Sequence, residues 1–196
     1  MTVADKITTS RLVLAPVFFI VYLFPRFFPS GFQTPQWIVP VLWVIFVLSE
    51  ITDMLDGLLA RKRGEVSDFG RLYDPFADTL TQVTFFLCFV LDGILPPILF
   101  LIVLYREFGI LFIRNMMLKQ GITMGARMAG KVKTVAYIVA AGLALLASSV
   151  VRLDFDAELC FGLTVAAKVV FTVSVMISVI SFLDYFIVFM RSKARS

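Results

Sequence analysis

Apolar residues run along this chain in long unbroken stretches, interrupted by short clusters of glycine, proline and charge. The stretches lie near residues 11–28, 36–60, 73–92, 95–118, 131–150 and 159–190. The breaks fall at Pro29-Ser30-Gly31, Arg61 to Asp68, Gly93 to Pro97, Gln120 to Gly130 and Arg152 to Glu158. A membrane span needs roughly 20 consecutive apolar residues, and these runs approach or exceed that length. Lipid offers no partner to a backbone N–H or C=O, so only helices and closed barrels span it. Barrel strands would alternate apolar and polar positions, and these runs do not. The pattern therefore predicts an all-α polytopic membrane protein with six transmembrane helices, in one domain over residues 1–196. The last run exceeds the bilayer, which predicts tilt or projection into water. The first contains Pro16 and is followed by no small-residue cleavage site, so it is read as a retained span. Thr2 to Ser10, short and partly polar, is expected to lie along the interface as a brief helix.

Composition agrees. Of 196 residues, 60% are hydrophobic and 16% charged, too few charges to coat a soluble domain. The charges sort by loop. Lys6 and Arg11 lie near the N-terminus, and Arg61, Lys62, Arg63 and Arg71 between the second and third runs. Arg114, Lys119, Arg127, Lys131 and Lys133 surround the fourth break, and Arg191, Lys193 and Arg195 close the chain. The alternate loops are nearly uncharged or acidic, as at Asp154, Asp156 and Glu158. By the positive-inside rule, both termini and the basic loops are expected to be cytoplasmic. The net charge of +4 is then a topology signal, and no nucleic-acid partner is expected. There is no histidine, which excludes Ser-His and Cys-His catalysis and histidine-ligated zinc. Cys88 and Cys160 have no motif spacing and suggest neither a disulfide framework nor a metal site.

Acid–base or metal chemistry must therefore rest on carboxylates, and carboxylates cluster. Glu50, Asp53 and Asp56 are three apart and share one helical face; Asp74 and Asp78, four apart, share another. The link between the second and third runs is short, so the two helices are expected to be antiparallel neighbours whose four aspartates meet at one cytoplasmic end. Charged side chains within spans are costly and are functional candidates by default. Carboxylates this close stay ionised together only if cations neutralise them. An all-oxygen donor set suits Mg²⁺, Mn²⁺ or Ca²⁺ rather than zinc, and a pair of such ions is suited to phosphoryl transfer. Against this stands a reading as water-facing helix-end aspartates paired with Arg61, Arg63 and Arg71, which is how Glu65 and Asp68 are read. A divalent-cation transporter would also place carboxylates in the membrane, but would not crowd them at one end.

The residues between the aspartates narrow the reading. Asp53-Met-Leu-Asp56-Gly57-Leu-Leu-Ala60-Arg61, then eight residues, then Gly70-Arg-Leu-Tyr-Asp74-Pro-Phe-Ala-Asp78 resembles the signature of the CDP-alcohol phosphotransferases. That signature is D-x-x-D-G-x-x-A-R, eight residues, G-x-x-x-D-x-x-x-D, and every fixed position is present. The resemblance implies that an alcohol attacks the β-phosphorus of a CDP-linked donor and CMP leaves. It implies Asp53, Asp56 and Asp74 as ligands of Mg²⁺ or Mn²⁺, with two ions bound, and Asp78 as general base and further ligand. It implies a CDP site at Gly57, Ala60, Arg61 and Gly70. The residue types fit: Gly57 and Ala60 let a nucleotide approach the helix closely, and Arg61 can pair with a diphosphate.

The acceptor is read from the second half. Arg106 and Glu107 lie midway in the fourth run, Arg114 follows two turns later, and Gly130-Lys131-Val-Lys133-Thr134 opens the fifth. Arg106, Arg114, Lys131 and Lys133 would make a cationic pocket for a phosphorylated acceptor, unless Arg106 is consumed by Glu107 or Glu50. These segments, with Asp74-Pro-Phe-Ala-Asp78 and Ile7-Thr8-Thr9-Ser10-Arg11-Leu12, resemble the family's bacterial phosphatidylglycerophosphate synthase branch. The chain departs from that branch at Thr79, usually lysine, and at Tyr137, usually glutamine. The branch implies CDP-diacylglycerol as donor, glycerol 3-phosphate as acceptor, a homodimer and the bacterial inner membrane, with the active site facing the cytoplasm. Inositol phosphate or serine would be the acceptor in other branches.

Overall fold

A computed structural model describes residues 3–28, 34–63, 68–119 and 128–193; within these, the side chains of 3–6, 55–63, 68, 69, 71, 119, 129 and 191–193 lie outside the description. The described residues form six α-helices and no strand. They are α1 (Val3–Leu23), α2 (Ile38–Arg63), α3 (Asp68–Leu91), α4 (Pro97–Lys119), α5 (Met128–Arg152) and α6 (Ala157–Lys193), with a 3₁₀ turn at Phe24–Phe27. Ile7–Phe27, Gly130–Arg152 and Ala157–Met190 are long and apolar enough to cross a membrane. The sequence predicts six such spans. Among the described residues, α3 is interrupted by Asp74 and Asp78 and α4 by Arg106 and Glu107.

All six helices turn large apolar side chains outward, among them Ile20, Val44, Leu72, Phe112, Val135 and Phe161. An apolar coat this extensive is an aggregation hazard in water and a match to lipid, so the chain is an all-α membrane protein. Inside, aromatic rings carry the packing. Phe18 meets Phe85 with centroids 4.4 Å apart, and Phe86 meets Phe171 edge-on at 5.0 Å, in the offset and T-shaped geometries that rings prefer. Two turns close the helices tightly. Gly93 takes φ +68 after α3, where Ile94 N–H bonds back to Phe89 O at 2.9 Å; only a residue without Cβ adopts this C-terminal cap at no steric cost. Asp156 caps α6 by accepting from the Glu158 and Leu159 backbone N–H groups.

One expectation is corrected. No separate interfacial helix precedes the first span: from Val3 onward the segment is one helix with it. The cause is chemical, because Thr8, Thr9 and Arg11 bond to α3 and α2 and draw the helix start into the bundle. Helices α2 and α3 both pack extensively on α1, and they meet each other at Phe46 and Phe85, whose ring centroids are 5.8 Å apart. Every third or fourth residue of α1 from Thr8 is buried, through Arg11, Ala15 and Phe18 to Tyr22, the stripe of a helix facing a core.

Candidate active site

Three carboxylates from two helices converge on one guanidinium from a third. Arg11 Nη1 donates to Asp53 Oδ1 at 2.5 Å and also to Asp78 Oδ1, and its Nη2 reaches Asp74 Oδ1 at 3.3 Å. Thr8, one turn before Arg11 on the same face, donates its hydroxyl to Asp74 Oδ1 at 2.5 Å. Arg11 is 3% exposed, whereas Asp53, Asp74 and Asp78 are 42, 43 and 48% exposed. The cation is thus sunk beneath the acids. One oxygen of each acid meets Arg11, and the open half of each carboxylate remains available to a ligand.

Asp56, Gly57, Ala60 and Arg61 lie on the last two turns of α2, with side chains outside the described residues, and Gly70 lies in the first turn of α3. Among the described residues, no three carboxylates close around a common point as a metal cage; the Arg11 guanidinium stands between them. The donor set nonetheless fits a hard divalent ion. It is all carboxylate oxygen, it already converges on positive charge, and one guanidinium leaves three carboxylates under-neutralised.

Beside the acids is a cavity of about 240 Å³. Asp78, Thr79 and Gln82 of α3 form one wall, Arg106 and Arg114 of α4 a second, Gly130, Lys131 and Lys133 of α5 a third, and Tyr185 of α6 a fourth. The four cations singled out in the sequence are therefore brought into one chamber, and Asp78 opens into it. A second cavity of about 140 Å³ is lined by Arg11, Glu50, Asp53 and Tyr137, and shares Asp78, Gln82, Lys133 and Thr134 with the first.

The cations are not equivalent. Glu107 Oε1 accepts from Arg106 Nη1 at 2.8 Å and from Lys133 Nζ at 3.0 Å. Arg106 also bonds Ser178 O and Ser181 Oγ of α6, each at 3.3 Å. Arg106 is thus consumed in part by Glu107, and not by Glu50. Lys133 lies over the Tyr137 ring at 4.6 Å, and the Tyr137 hydroxyl donates to Ser178 Oγ at 2.5 Å. One carboxylate stands between two buried cations on the wall of the chamber. Arg114 stacks on the Tyr185 ring at 5.9 Å, and Lys131 lines the mouth, exposed.

Sequence reasoning read Arg11 as a topology charge and quoted Thr8 and Arg11 in the opening segment of the family resemblance, but gave neither a role in the site, and it did not single out Tyr185. The spacing of Thr8, Arg11, Ala15, Phe18 and Tyr22 held the signal for the first two, since a polar pair opening a core-facing stripe has to meet polar partners. Tyr185 is more than 50 residues from every other lining residue, and no local pattern marks it.

Comparison with known proteins agrees with the geometry. Residues 1–180 match the family model for CDP-alcohol phosphatidyltransferase. A Treponema pallidum (strain Nichols) protein named CDP-diacylglycerol–glycerol-3-phosphate 3-phosphatidyltransferase is 35% identical over 190 residues, covering 94% of this chain and 88% of that protein. A probable phosphatidylglycerophosphate synthase of Mycobacterium tuberculosis (strain ATCC 25618 / H37Rv) is 34% identical over 93% of this chain and 78% of its own length. A CMP-forming cardiolipin synthase of Streptomyces coelicolor (strain ATCC BAA-471 / A3(2) / M145) is 34% identical over 62% and 54% respectively.

Proposed function

The chain belongs to the CDP-alcohol phosphatidyltransferase family, and from that premise we propose that it transfers the phosphatidyl group of CDP-diacylglycerol to glycerol 3-phosphate. The products are phosphatidylglycerophosphate and CMP. The observation that carries the acceptor is the cationic chamber opening onto Asp78: a small phosphorylated alcohol can seat its phosphate on Arg114, Lys131 and Lys133 while its hydroxyl reaches the carboxylate. The names and coverage of the Treponema and Mycobacterium relatives support the same acceptor.

Asp78 takes the proton of the attacking hydroxyl, which needs an ionised carboxylate within hydrogen-bond reach. The acceptor oxygen bonds the β-phosphorus, the bond from that phosphorus to the CMP oxygen breaks, and CMP leaves with the electron pair. Asp53, Asp56, Asp74 and Asp78 would hold Mg²⁺ or Mn²⁺, two ions by the family pattern, which when bound neutralise the developing phosphoryl charge. Arg11 holds three of these carboxylates in register across three helices. Glu107 holds Arg106 and Lys133 in place and lowers the chamber's surplus of charge. Gly57, Ala60, Arg61 and Gly70 take the CDP moiety.

The basic loops support a cytoplasmic side for both termini and the aspartate end; six crossings of a bacterial inner membrane and a homodimer are what the family resemblance implies. The acyl chains of the donor then stay in the bilayer while the CDP head reaches the acids. The test is an acceptor panel: purified protein, CDP-diacylglycerol, Mg²⁺ or Mn²⁺, and glycerol 3-phosphate, inositol phosphate or serine, with CMP measured. Release with serine or inositol phosphate but not glycerol 3-phosphate would sink the assignment.

A further inference from the structure

A third cavity, of about 360 Å³, lies at the end of the bundle away from the aspartates. Arg26, just beyond α1, and Arg152, the last residue of α5, both line it, and both bond Asp92. Arg26 makes its bonds through Nη2 alone, to Leu91 O at 2.7 Å and to Asp92 Oδ1. Arg152 uses Nε toward Ser148 Oγ at 3.0 Å and Nη2 toward Asp92 Oδ2. Among the described residues, neither Nη1 group has an acceptor. Arg26 is half exposed. Arg152 is 10% exposed, yet its Nη1 is not sealed from the open space. Two arginines against one acid leave a positive charge over, and charge held away from water is costly unless an opposite charge meets it. Much of the remaining wall is apolar, with Leu91, Ile94 and Val151. Leu91 and Val151 also face outward, so the cavity opens onto the apolar coat.

We propose that this cavity binds the phosphate of a membrane phospholipid, Arg26 and Arg152 donating to one phosphodiester while the lipid's chains lie along Leu91 and Val151. Guanidinium is the side-chain group best shaped for phosphate oxygens, and the single negative charge of a phosphodiester equals the surplus. A free phosphate would meet the charge but leave the apolar wall uncovered. Bound there, the lipid joins the ends of α1, α3 and α5 and stabilises the bundle. The site is remote from the aspartates, so the inference stands whichever acceptor they serve.

The test is native mass spectrometry of the delipidated protein titrated with phosphatidylglycerol. Diacylglycerol, which lacks the phosphate, and inorganic phosphate, which lacks the chains, are the comparison probes. Arg26→Gln removes a half-exposed cation and leaves Asp92 its bonds to Tyr22, Ser148 and Arg152. It should weaken phosphatidylglycerol binding about tenfold, the scale of one hydrogen bond to a charged group. CMP release and the lipid-free thermal midpoint should stay at wild-type values. Phosphatidylglycerol should raise the wild-type midpoint and raise that of Arg26→Gln less. Thr164→Leu, which fills the cavity without touching a charge, should weaken the same binding. If Arg26→Gln lowers the lipid-free midpoint, Thr164→Leu decides alone. Lipid held elsewhere on the coat or at the aspartate end does not respond to either substitution, so the loss counts this site only. An unchanged affinity in the deciding variant, or equal binding of diacylglycerol, overturns the proposal. Displacement of the lipid by inorganic phosphate overturns it too, making the cavity a site for free phosphate.

Discussion

The bundle carries a charge cluster at each end, and helix α1 spans both. At one end Arg11 meets Asp53, Asp74 and Asp78. At the other, Tyr22 donates to Asp92 Oδ2 at 2.6 Å, Arg26 reaches Asp92 Oδ1 at 2.9 Å, and Ser148 and Arg152 bond the same carboxylate at 2.8 and 3.5 Å. Asp92 follows the last residue of α3, 14 residues after Asp78, about 21 Å along the helix axis. The two clusters use the same residue types with opposite arithmetic. Around Asp92, two arginines and two hydroxyls satisfy a single acid, and Arg152 is further held over the Tyr22 ring at 4.3 Å. Both carboxylate oxygens accept, and the cluster fastens the ends of α1, α3 and α5. Around Arg11, among the described residues, three half-exposed acids share one buried cation. A satisfied acid marks a fastening, and unbalanced charge beside a cavity marks a site for something that is not yet bound.

That contrast can be broken most sharply at Asp78. Asp78→Asn should reduce CMP release about 10³-fold, in the range for losing a general base that also serves a metal, with the helical circular-dichroism signal retained. Asp92→Asn should leave the rate within about twofold, and a large loss of rate there would erase the distinction between the two ends. Chelating divalent cations should likewise stop turnover until Mg²⁺ or Mn²⁺ is restored, and persistence of full activity in chelator would remove the metal from the aspartate end.

Lys133→Ala should raise the acceptor KM about 10-fold or more and the donor KM much less, since a lysine–phosphate contact is charge-assisted. Equal effects on both would move Lys133 to a structural or diphosphate role. Stability should show the reverse pattern. Asp92→Ala leaves Arg152 buried without its acid and should cost about 3 kcal/mol, read as a lowered thermal midpoint with both KM values kept. The smallest and most diagnostic effect is expected at Arg11. Arg11→Ala removes the cation between three acids, so its thermal midpoint should fall more in chelator than in Mg²⁺, because a bound cation stabilises the folded state by mass action. The same drop in both buffers would make Arg11 a packing residue like those around Asp92.

Much of the aspartate site was legible before any fold was known. Asp53 and Asp56, and Asp74 and Asp78, share helix faces by spacing alone, and the need for counter-cations follows from their crowding. The cationic chamber was legible as a set of residue types, and it was the fold that put Arg106, Arg114, Lys131 and Lys133 around one space. Three things were not legible. Glu107 divides the cations into a pair it holds and others it does not, which depends on α4 facing α5 in register. Tyr185 joins the chamber because α6 packs along α4 and α5. Helix α1 packs on both α2 and α3 and carries Arg11 to the acids of both, which the short link between those helices did not indicate.

The sequence by itself determined the medium, the helical class and the chemistry. Runs of apolar residues, the absence of histidine and carboxylates at helical spacing are properties of composition and period, and period survives without tertiary contacts. Only the tertiary structure decided which cation answers the aspartates. Arg11 lies 42 residues from Asp53 and 67 from Asp78, and a side chain's electrostatic partner is set by distance in space, which no local pattern encodes. Of the four acids that the sequence showed in need of positive charge, the three whose side chains are described are gathered by an arginine buried beneath them.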